Sequence, residues 1–404
     1  MGFWNSKSQK KWQKTYINNV FANKNTRHKT FSKIILNNPE LLNQKNTHFP
    51  KSLFKFYSPT SDNIIDIKKQ RLWFAHPSSF NDPFDCHTGY DVTGYEKYSL
   101  LEHIKKIGFA NTENRQNGFT KEEFNRIYNS IPEYEYNWMR NAEEYWSAIR
   151  KISESKNEEF EKEIYNLRLK FQRDVERKIE KLREVNIRIA CFSDLKSDNF
   201  PPNHNDFEFM IHMWSHYASN HEGFCVEYDI TQIHPENLIP LENKNILGDE
   251  NAYISNKTKL LLSAGLFPVI YTSNRVNIPK TKLKRIKIGE DGNIKHNSDV
   301  DSLLYKTYII KSAKWNYEKE WRIIVDGDIC KYFDNKIHFP YIKKIFLGCK
   351  MNTHNIDILL EIAEELDAEV VLMAMNDKKF YLEPQRLDSY KWNKERRKWN
   401  NPLY

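Results

Sequence analysis

Residues 315–322 read Trp315-Asn316-Tyr317-Glu318-Lys319-Glu320-Trp321-Arg322 and run directly into Ile323, Ile324 and Val325. The stretch from Trp321 to Val325 is short, largely apolar and rich in β-branched residues, which predicts a strand. Residues two apart on a strand share a face, so Glu318 and Glu320 are expected on one side and Lys319 and Trp321 on the other. Crowding two carboxylates separates their proton affinities, so one can hold a ligand hydroxyl while the other orients a nucleophile. The competing reading pairs these glutamates with Lys311, Lys314 or Arg322 on a solvated strand.

On the C-terminal side, Lys344 to Leu347 reads as a strand, Asn355 to Leu366 as a helix, and Glu369 to Met373 and Phe380 to Leu382 as closing strands. On the N-terminal side the strands are Val269 to Thr272, Phe224 to Tyr228, Ile187 to Phe192 and Arg71 to His76. The first is Leu53 to Ser58, ended by Pro59, and helices near Asn63 to Lys69 and Met210 to Tyr217 lie among them. From about residue 95 to 186 the chain reads as mostly helical, with Ile149, Ile152, Phe160, Ile164, Leu167 and Phe171 recurring mostly at helical spacing. Eleven acids and eleven bases between residues 143 and 184 flank that narrow stripe, which suits a helical hairpin arm or a dimerising coiled coil. Strands toward the ends with helices gathered between them give an α+β class: a mixed or antiparallel β core with a mostly helical insertion. The expected organisation is a basic extension over residues 1–50, one α+β domain over 51–383 and a basic aromatic tail over 384–404.

The chain's 404 residues allow a sizeable core, and aromatics make up 14% of the sequence within a 39% apolar total, so Phe, Tyr and Trp carry much of the burial. No run of about 18 apolar residues and no apolar N-terminal segment occurs, so a soluble, cytoplasmic protein with no membrane partner is expected. Cys86, Cys191, Cys225, Cys330 and Cys349 are far apart and never form Cys-x-x-Cys, which argues against a disulfide framework or a cysteine zinc site. The net charge of +8 resides in residues 1–39, where Lys7, Lys10, Lys11, Lys14, Lys24, Arg27, Lys29 and Lys33 meet no acid. Trp4, Trp12, Tyr16 and Phe21 lie between those bases, and Lys391 to Trp399 repeats the character. Two readings stand. Either Lys10, Lys11, Lys14, Arg396, Arg397 and Lys398 follow a nucleic-acid backbone while the aromatics stack on bases, or these ends are solvated extensions that cap the body.

Pro77 to Asp85 reads as a loop, because it holds two prolines and several side chains that bond their own backbone. It offers Asn81, Asp82 and Asp85 beside Phe80 and Phe84, the composition of a small-molecule pocket, or else a turn in which Asp82 caps a backbone amide. His212 and His216 are four apart, but no Glu stands where a metalloprotease helix carries its base. Packing or substrate contact by Trp214, His216 and Tyr217 is therefore preferred to a metal site. Cys191 reads as an inert strand thiol and Ser193 as a ligand-orienting hydroxyl. With 12 glycines and no Gly-x-Gly-x-x-Gly or Walker loop, any nucleotide is held by other means.

The ordered set Leu53-Phe54-Lys55-Phe56-Tyr57, Phe80-Asn81-Asp82-Pro83-Phe84-Asp85, Cys191-Phe192-Ser193, Met213-Trp214-Ser215-His216-Tyr217 with Gly223, Trp315-x-Tyr317-Glu318-x-Glu320-x-Arg322 and Ile345-x-Leu347-Gly348 resembles the bacterial domain-of-unknown-function family 2971. The resemblance covers about residues 53–383 and implies an accessory role of the kind found in phage defence. An opening strand with a basic residue, a middle strand ending in Ser and a late Glu-x-Glu also resemble the arginine-serine-glutamate layout of ADP-ribosyltransferases. That second resemblance implies an ADP-ribosyltransferase-like fold and NAD as co-substrate, with no metal. Lys55, in place of the pattern's Arg or His, would hold the dinucleotide phosphates as a point charge. Ser193 matches the serine strand, Glu320 the catalytic glutamate and Glu318 its upstream partner. Asn81 and Asp82 would contact the cofactor, and Trp214 or Tyr217 would stack on the leaving nicotinamide. The sequence departs from that layout in lacking Ser-Thr-Ser and in spacing Ser193 about 125 residues before Glu318.

The expected function is an NAD-consuming ADP-ribosyltransferase-like effector, transferase or glycohydrolase. One alternative is a nucleic-acid-binding or metal-dependent nuclease module with Asp82, Asp85, Glu318 and Glu320 around a divalent ion. Another is a non-enzymatic sensor or scaffold that forms a homodimer through its helical arm.

Overall fold

The computed structural model describes residues 6–22, 38–111, 113–130, 138–184, 186–195, 204–237, 250–290, 294–295 and 298–386. Its frame is an eight-stranded sheet of β1 (Ser52–Tyr57), β2 (Ile187–Ser193), β3 (Phe224–Asp229), β4 (Leu266–Pro268), β5 (Glu320–Asp326), β6 (Ile342–Leu347), β7 (Glu369–Met375) and β8 (Leu382–Arg386). The spatial order is β8-β7-β6-β3-β1-β2-β5-β4. Every pairing in it is antiparallel except β6 with β7, so the class is α+β with a mixed, mainly antiparallel sheet. The helices used below are α1 (Ser6–Ala22), α2 (Pro39–Asn46), α3 (Ser61–Lys68), α4 (Val92–Ile107), α5 (Lys121–Ser130), α6 (Trp138–Ser153), α7 (Glu158–Arg183), α8 (His204–Tyr217), α9 (Glu250–Gly265), α10 (Lys280–Arg285), α11 (Ser298–Thr307), α12 (Gly327–Tyr332) and α13 (Thr353–Glu365).

Two expected strands are broken up. Arg71–Trp73 pairs with Lys336–His338 outside the main sheet, and the chain returns to β2 only through a bridge between Ala75 and Ile189. The stretch around Val269 divides into β4, inside the sheet, and Ile270–Thr272, which pairs in parallel with Ile310–Ser312.

Strand alternation sorts the side chains onto two faces. One face carries Leu53, Tyr57, Phe192, Val226, Ile323 and Ile345, closed by Ile64 and Ile67 of α3 and Ile356 and Leu359 of α13. The opposite face holds two separate apolar clusters. Phe54, Phe56, Trp214, Cys225 and Phe346 form one, while Ile187, Ile189, Ile324 and Phe267 form the other with α1. Along β2 this face passes from Ile189 through Cys191 and Ser193 toward Leu195, and β5 sets Arg322 opposite Cys191 and Glu320 opposite Ser193. Polar side chains thus occupy the sheet interior between two apolar clusters.

The N-terminal segment does not behave as a free basic extension. Tyr16, Ile17, Val20 and Phe21 are buried on one side of α1, and Trp12 stacks on His48 with ring centroids 4.1 Å apart. Lys45 of α2 is fully buried and donates to the carbonyls of Ser263 and Leu266 at the end of α9. Tyr16 and Phe21 are therefore core residues and cannot stack on bases, because an apolar stripe buried against the sheet removes far more area from water than an exposed one. Trp4, Arg396, Arg397 and Lys398 lie outside the described residues, as do the side chains of Lys7 and Lys10.

The helical insertion forms, with its apolar stripe turned inward. Ile149, Phe160, Ile164, Leu167 and Phe171 of α6 and α7 are buried against Leu100, Ile104, Phe119 and Phe124 from α4, α5 and the segment before α5. The stripe that the sequence offered to a second copy is used within the chain. Among the described residues no helix is long and apolar enough to cross a membrane.

Inside this arm Glu96 is buried and accepts a hydrogen bond from Trp146 Nε1 at 2.8 Å. Burial pushes its carboxyl up to about 7, against the opposing effects of Trp146 and Arg168. A carboxyl whose folded pKa exceeds its unfolded one stabilises the fold while protonated, fully below the unfolded value of 4.5, and this contribution is lost as pH rises through about 7. Thermal melts should therefore show Glu96→Gln gaining Tm over wild type at about pH 8 and not at about pH 5. An equal shift at both would mean that Glu96 stays uncharged.

Candidate active site

β1 and β2 meet at a single register pair, Phe54 opposite Ser193, and then diverge. The neighbour of β2 at Ile189 is Ala75, which exchanges both backbone bonds with it at 2.9 Å. Between these two points the Cys191 carbonyl faces the gap, and Lys55 Nζ donates to it at 3.1 Å. An ammonium here replaces the missing strand neighbour, because a buried carbonyl requires a donor. The gap opens into a cavity of about 390 Å³ lined by Phe54, Lys55, Phe56, Trp73, Ala75, Ser79, Phe80, Asn81, Asp85, Ile189, Cys191, Phe192, Ser193, Met213, His216, Tyr217, Lys311, Glu318 and Glu320.

Glu318 and Glu320 arrive there by a route that strand periodicity does not foresee. Glu318 ends a 3-10 helix, Ala313–Glu318, and Glu320 opens β5. Lys319 between them sits in the left-handed region at φ 42° and ψ 49°, an uncommon conformation for a residue with a side chain, and its carbonyl is held by Asp194 N at 3.0 Å. This reversal turns both carboxylates toward Lys311. The Lys311 ammonium lies 2.5 Å from Glu318 Oε2, 3.1 Å from Glu320 Oε2 and 3.4 Å from Asp85 Oδ2. Parallel pairing of Ile310–Ser312 with Ile270–Thr272 positions that lysine beside Tyr271, whose hydroxyl accepts from Glu320 N at 2.8 Å.

Arg322 completes the network. It is fully buried and donates to Glu320 at 2.7 and 3.0 Å, to Asp85 Oδ2 at 2.7 Å and to the Tyr308 carbonyl at 2.8 Å. The glutamates do pair with Lys311 and Arg322, but in the interior instead of on a solvated strand. Burial alone would raise Glu320, but Arg322 and Lys311 outweigh it and hold this carboxyl well below the usual range. Glu318 goes the other way: burial and the neighbouring Glu320 charge push it up to about 7, against Lys311 and a 2.6 Å bond from Tyr217 Oη. Three acids face two bases, so a proton on Glu318 leaves the cluster neutral.

The cavity gathers Lys55, Asn81, Ser193, Tyr217, Glu318 and Glu320, all singled out from sequence. Two other candidates fall elsewhere. Trp214 is fully buried and meets Phe56 edge-on at 5.3 Å, because its place on α8 faces the sheet. Asp82 accepts from Phe84 N at 2.9 Å, a local turn that shapes the loop and presents Asp85 to the cavity. His216, not Trp214, is the neighbour of Tyr217 that reaches the cavity. Asp85, offered from sequence as a pocket acceptor, and His216, offered as a substrate contact, also line the cavity, and Lys311, expected only as an ion-pair partner of the glutamates, completes it. An ammonium stands where the metal-dependent alternative places a divalent ion, and among the described residues no group of three metal-holding side chains occurs. Burial pushes the Cys191 thiol well above its ordinary pKa, consistent with an inert sulfur.

Replacing Lys311 by Met leaves three buried carboxylates with one guanidinium. Urea unfolding should show a loss of about 3–5 kcal/mol at about pH 8 and a smaller one at about pH 5.5, where Glu318 carries its proton. A loss independent of pH would place Glu318 outside the network.

No curated protein and no solved structure matches the chain. Residues 213–323 match the family model described as Protein of unknown function (DUF2971), so the part of the chain that runs from Met213 through Tyr217, Glu318 and Glu320 to Ile323 resembles that family.

Proposed function

We propose that the protein is an ADP-ribosyltransferase-like effector that cleaves the bond between nicotinamide and ribose in NAD and passes the ADP-ribosyl group to an acceptor or to water. The observation that carries this reading is convergence: Lys55, Asn81, Ser193, Tyr217, Glu318 and Glu320 come from remote segments and line one cavity. Its volume of about 390 Å³ suits the nicotinamide-ribose half of a dinucleotide, with the phosphates toward the mouth. The antiphage role rests on the family resemblance.

Each group has chemistry to contribute. As the glycosidic C–N bond breaks, its electron pair leaves with nicotinamide and positive charge develops on the ribose. Glu320, held ionised, opposes that charge and retains lone pairs for a ribose hydroxyl. Lys55 spends one hydrogen bond on Cys191 O and has further N–H donors for a phosphate. The Ser193 hydroxyl and the Asn81 amide make no hydrogen bond among the described residues, which leaves them for the ligand. Tyr217, His216, Trp73 and Phe80 line the cavity and offer aromatic surfaces for the leaving ring. Above about 7, Glu318 is ionised and can take the proton of the attacking acceptor or water.

Purified protein incubated with NAD should release nicotinamide, and Glu320→Gln should lower that rate by about 10²-fold or more. Equal inactivity of both proteins with nucleic-acid and protein acceptors present would end this reading. The wild-type rate should also rise with pH through about 7, and Glu318→Gln should flatten that rise. A pH profile unchanged in the Gln variant would remove Glu318 from the chemistry.

A further inference from the structure

Residues 280–287 read Lys-Thr-Lys-Leu-Lys-Arg-Ile-Lys, with no acid. Leu283 and Ile286 are buried and fix this segment by its apolar side, which leaves Arg285 and Lys287 exposed. Lys284 is engaged with Glu102 and Ser99, each at 3.2 Å, whereas Lys282, Arg285 and Lys287 make no ion pair among the described residues. α10 packs on α11, and α11 packs on α1, where Ser302 Oγ donates to the Phe21 carbonyl at 3.4 Å. Lys306 of α11 lies 5.8 Å from the Phe21 ring centroid, also without an ion pair among the described residues. Partial burial and the nearby Lys282 charge lower its proton affinity. Two cations are therefore held close together, neither in an ion pair among the described residues, an arrangement that a bound anion relieves.

The charge continues along α1. Lys11, Lys14 and Asn18 follow spacings of three and four toward Phe21, so they form one line on the helix, and both lysines are exposed. At about 1.5 Å per residue that line runs about 15 Å from Lys11 to Phe21, where Lys306 and Lys282 take over. We infer that this track across α1, α11 and α10 binds duplex nucleic acid by its phosphates. A row of cations of this length matches a row of phosphates better than a single anion. Tyr16 and Phe21 are turned into the core and the half-buried Trp12 is already stacked on His48, so the surface offers charge without free stacking platforms, as suits a duplex whose bases are already stacked.

The test uses the full chain and a fluorescently labelled duplex of about 20 base pairs, with anisotropy read across a salt series. The triple variant Lys282→Gln, Arg285→Gln, Lys287→Gln should bind at least about 10-fold more weakly, with a log K against log salt slope shallower by about 2 to 3. Its melting temperature and nicotinamide release should match wild type, which separates this surface from the cavity. The charge-keeping pair Lys282→Arg, Lys287→Arg should retain wild-type affinity. Unchanged affinity in the triple variant, salt-independent binding, or loss of affinity in the Arg pair would overturn the inference. So would capture by phosphatidylserine vesicles with no binding to the duplex, which would assign the track to an anionic membrane.

Discussion

The pairing of Phe54 with Ser193 is the single register contact that joins β1 to β2, and the architecture of the cavity follows from it. Had the two strands stayed zipped, the Cys191 carbonyl would have found a backbone donor and no space would open beside it. Because β2 exchanges β1 for Ala75 within a few residues, the carbonyl is met by Lys55 and the gap becomes a cavity. The same register sets Ser193 between Phe54 on one side and Glu320 on the other, so a hydroxyl, an ammonium and a carboxylate line one cavity.

The charges around this gap are a second constraint. A sheet face that carries apolar clusters at both ends holds Glu320 and Arg322 in its middle, where each charge depends on a partner for solvation. Phe80 covers Arg322, with its ring centroid 5.5 Å from the guanidinium, and Asp85 ties the loop to it through an ion pair of 2.7 Å. Glu320 is thereby fixed as an anion, and Glu318 is left as the member whose proton can move near neutral pH. A pair of carboxylates driven in opposite directions by their surroundings is the electrostatic pattern expected of a site that must stabilise positive charge and accept a proton.

The basic segments of the chain have divided fates. In α1 Tyr16 and Phe21, which sequence places among lysines, serve as the seal between α1 and the sheet, with Trp12 half-buried beside them, so the side that reaches solvent is polar and basic. The helical arm follows the same division: its apolar stripe closes an internal core and most of its charges stay outside, with Lys156 and Lys178 held inward by Glu123 and Asp174. Both follow from the same rule, that an amphipathic helix buries its apolar side against the nearest surface able to cover it. The arm thereby becomes a satellite core beside the sheet that carries the cavity.

Residue patterning alone determined the α+β class, the helical insertion and most strands of the main sheet, though not the division of the stretches around Arg71 and Val269, because alternation and helical spacing are local consequences of backbone geometry. Residue type and spacing also singled out Asn81, Tyr217, Glu318 and Glu320, while the resemblance to the ADP-ribosyltransferase layout added Lys55 and joined Ser193 to the glutamates. Tertiary structure decided what no local period encodes. It placed Trp214 in the core and His216 at the cavity, turned Glu318 back through a left-handed Lys319, and brought Asp85 and Arg322 together across more than two hundred residues of chain. The physical reason is that burial and pairing of charge depend on distances through space, which the spacing of residues along the sequence does not contain.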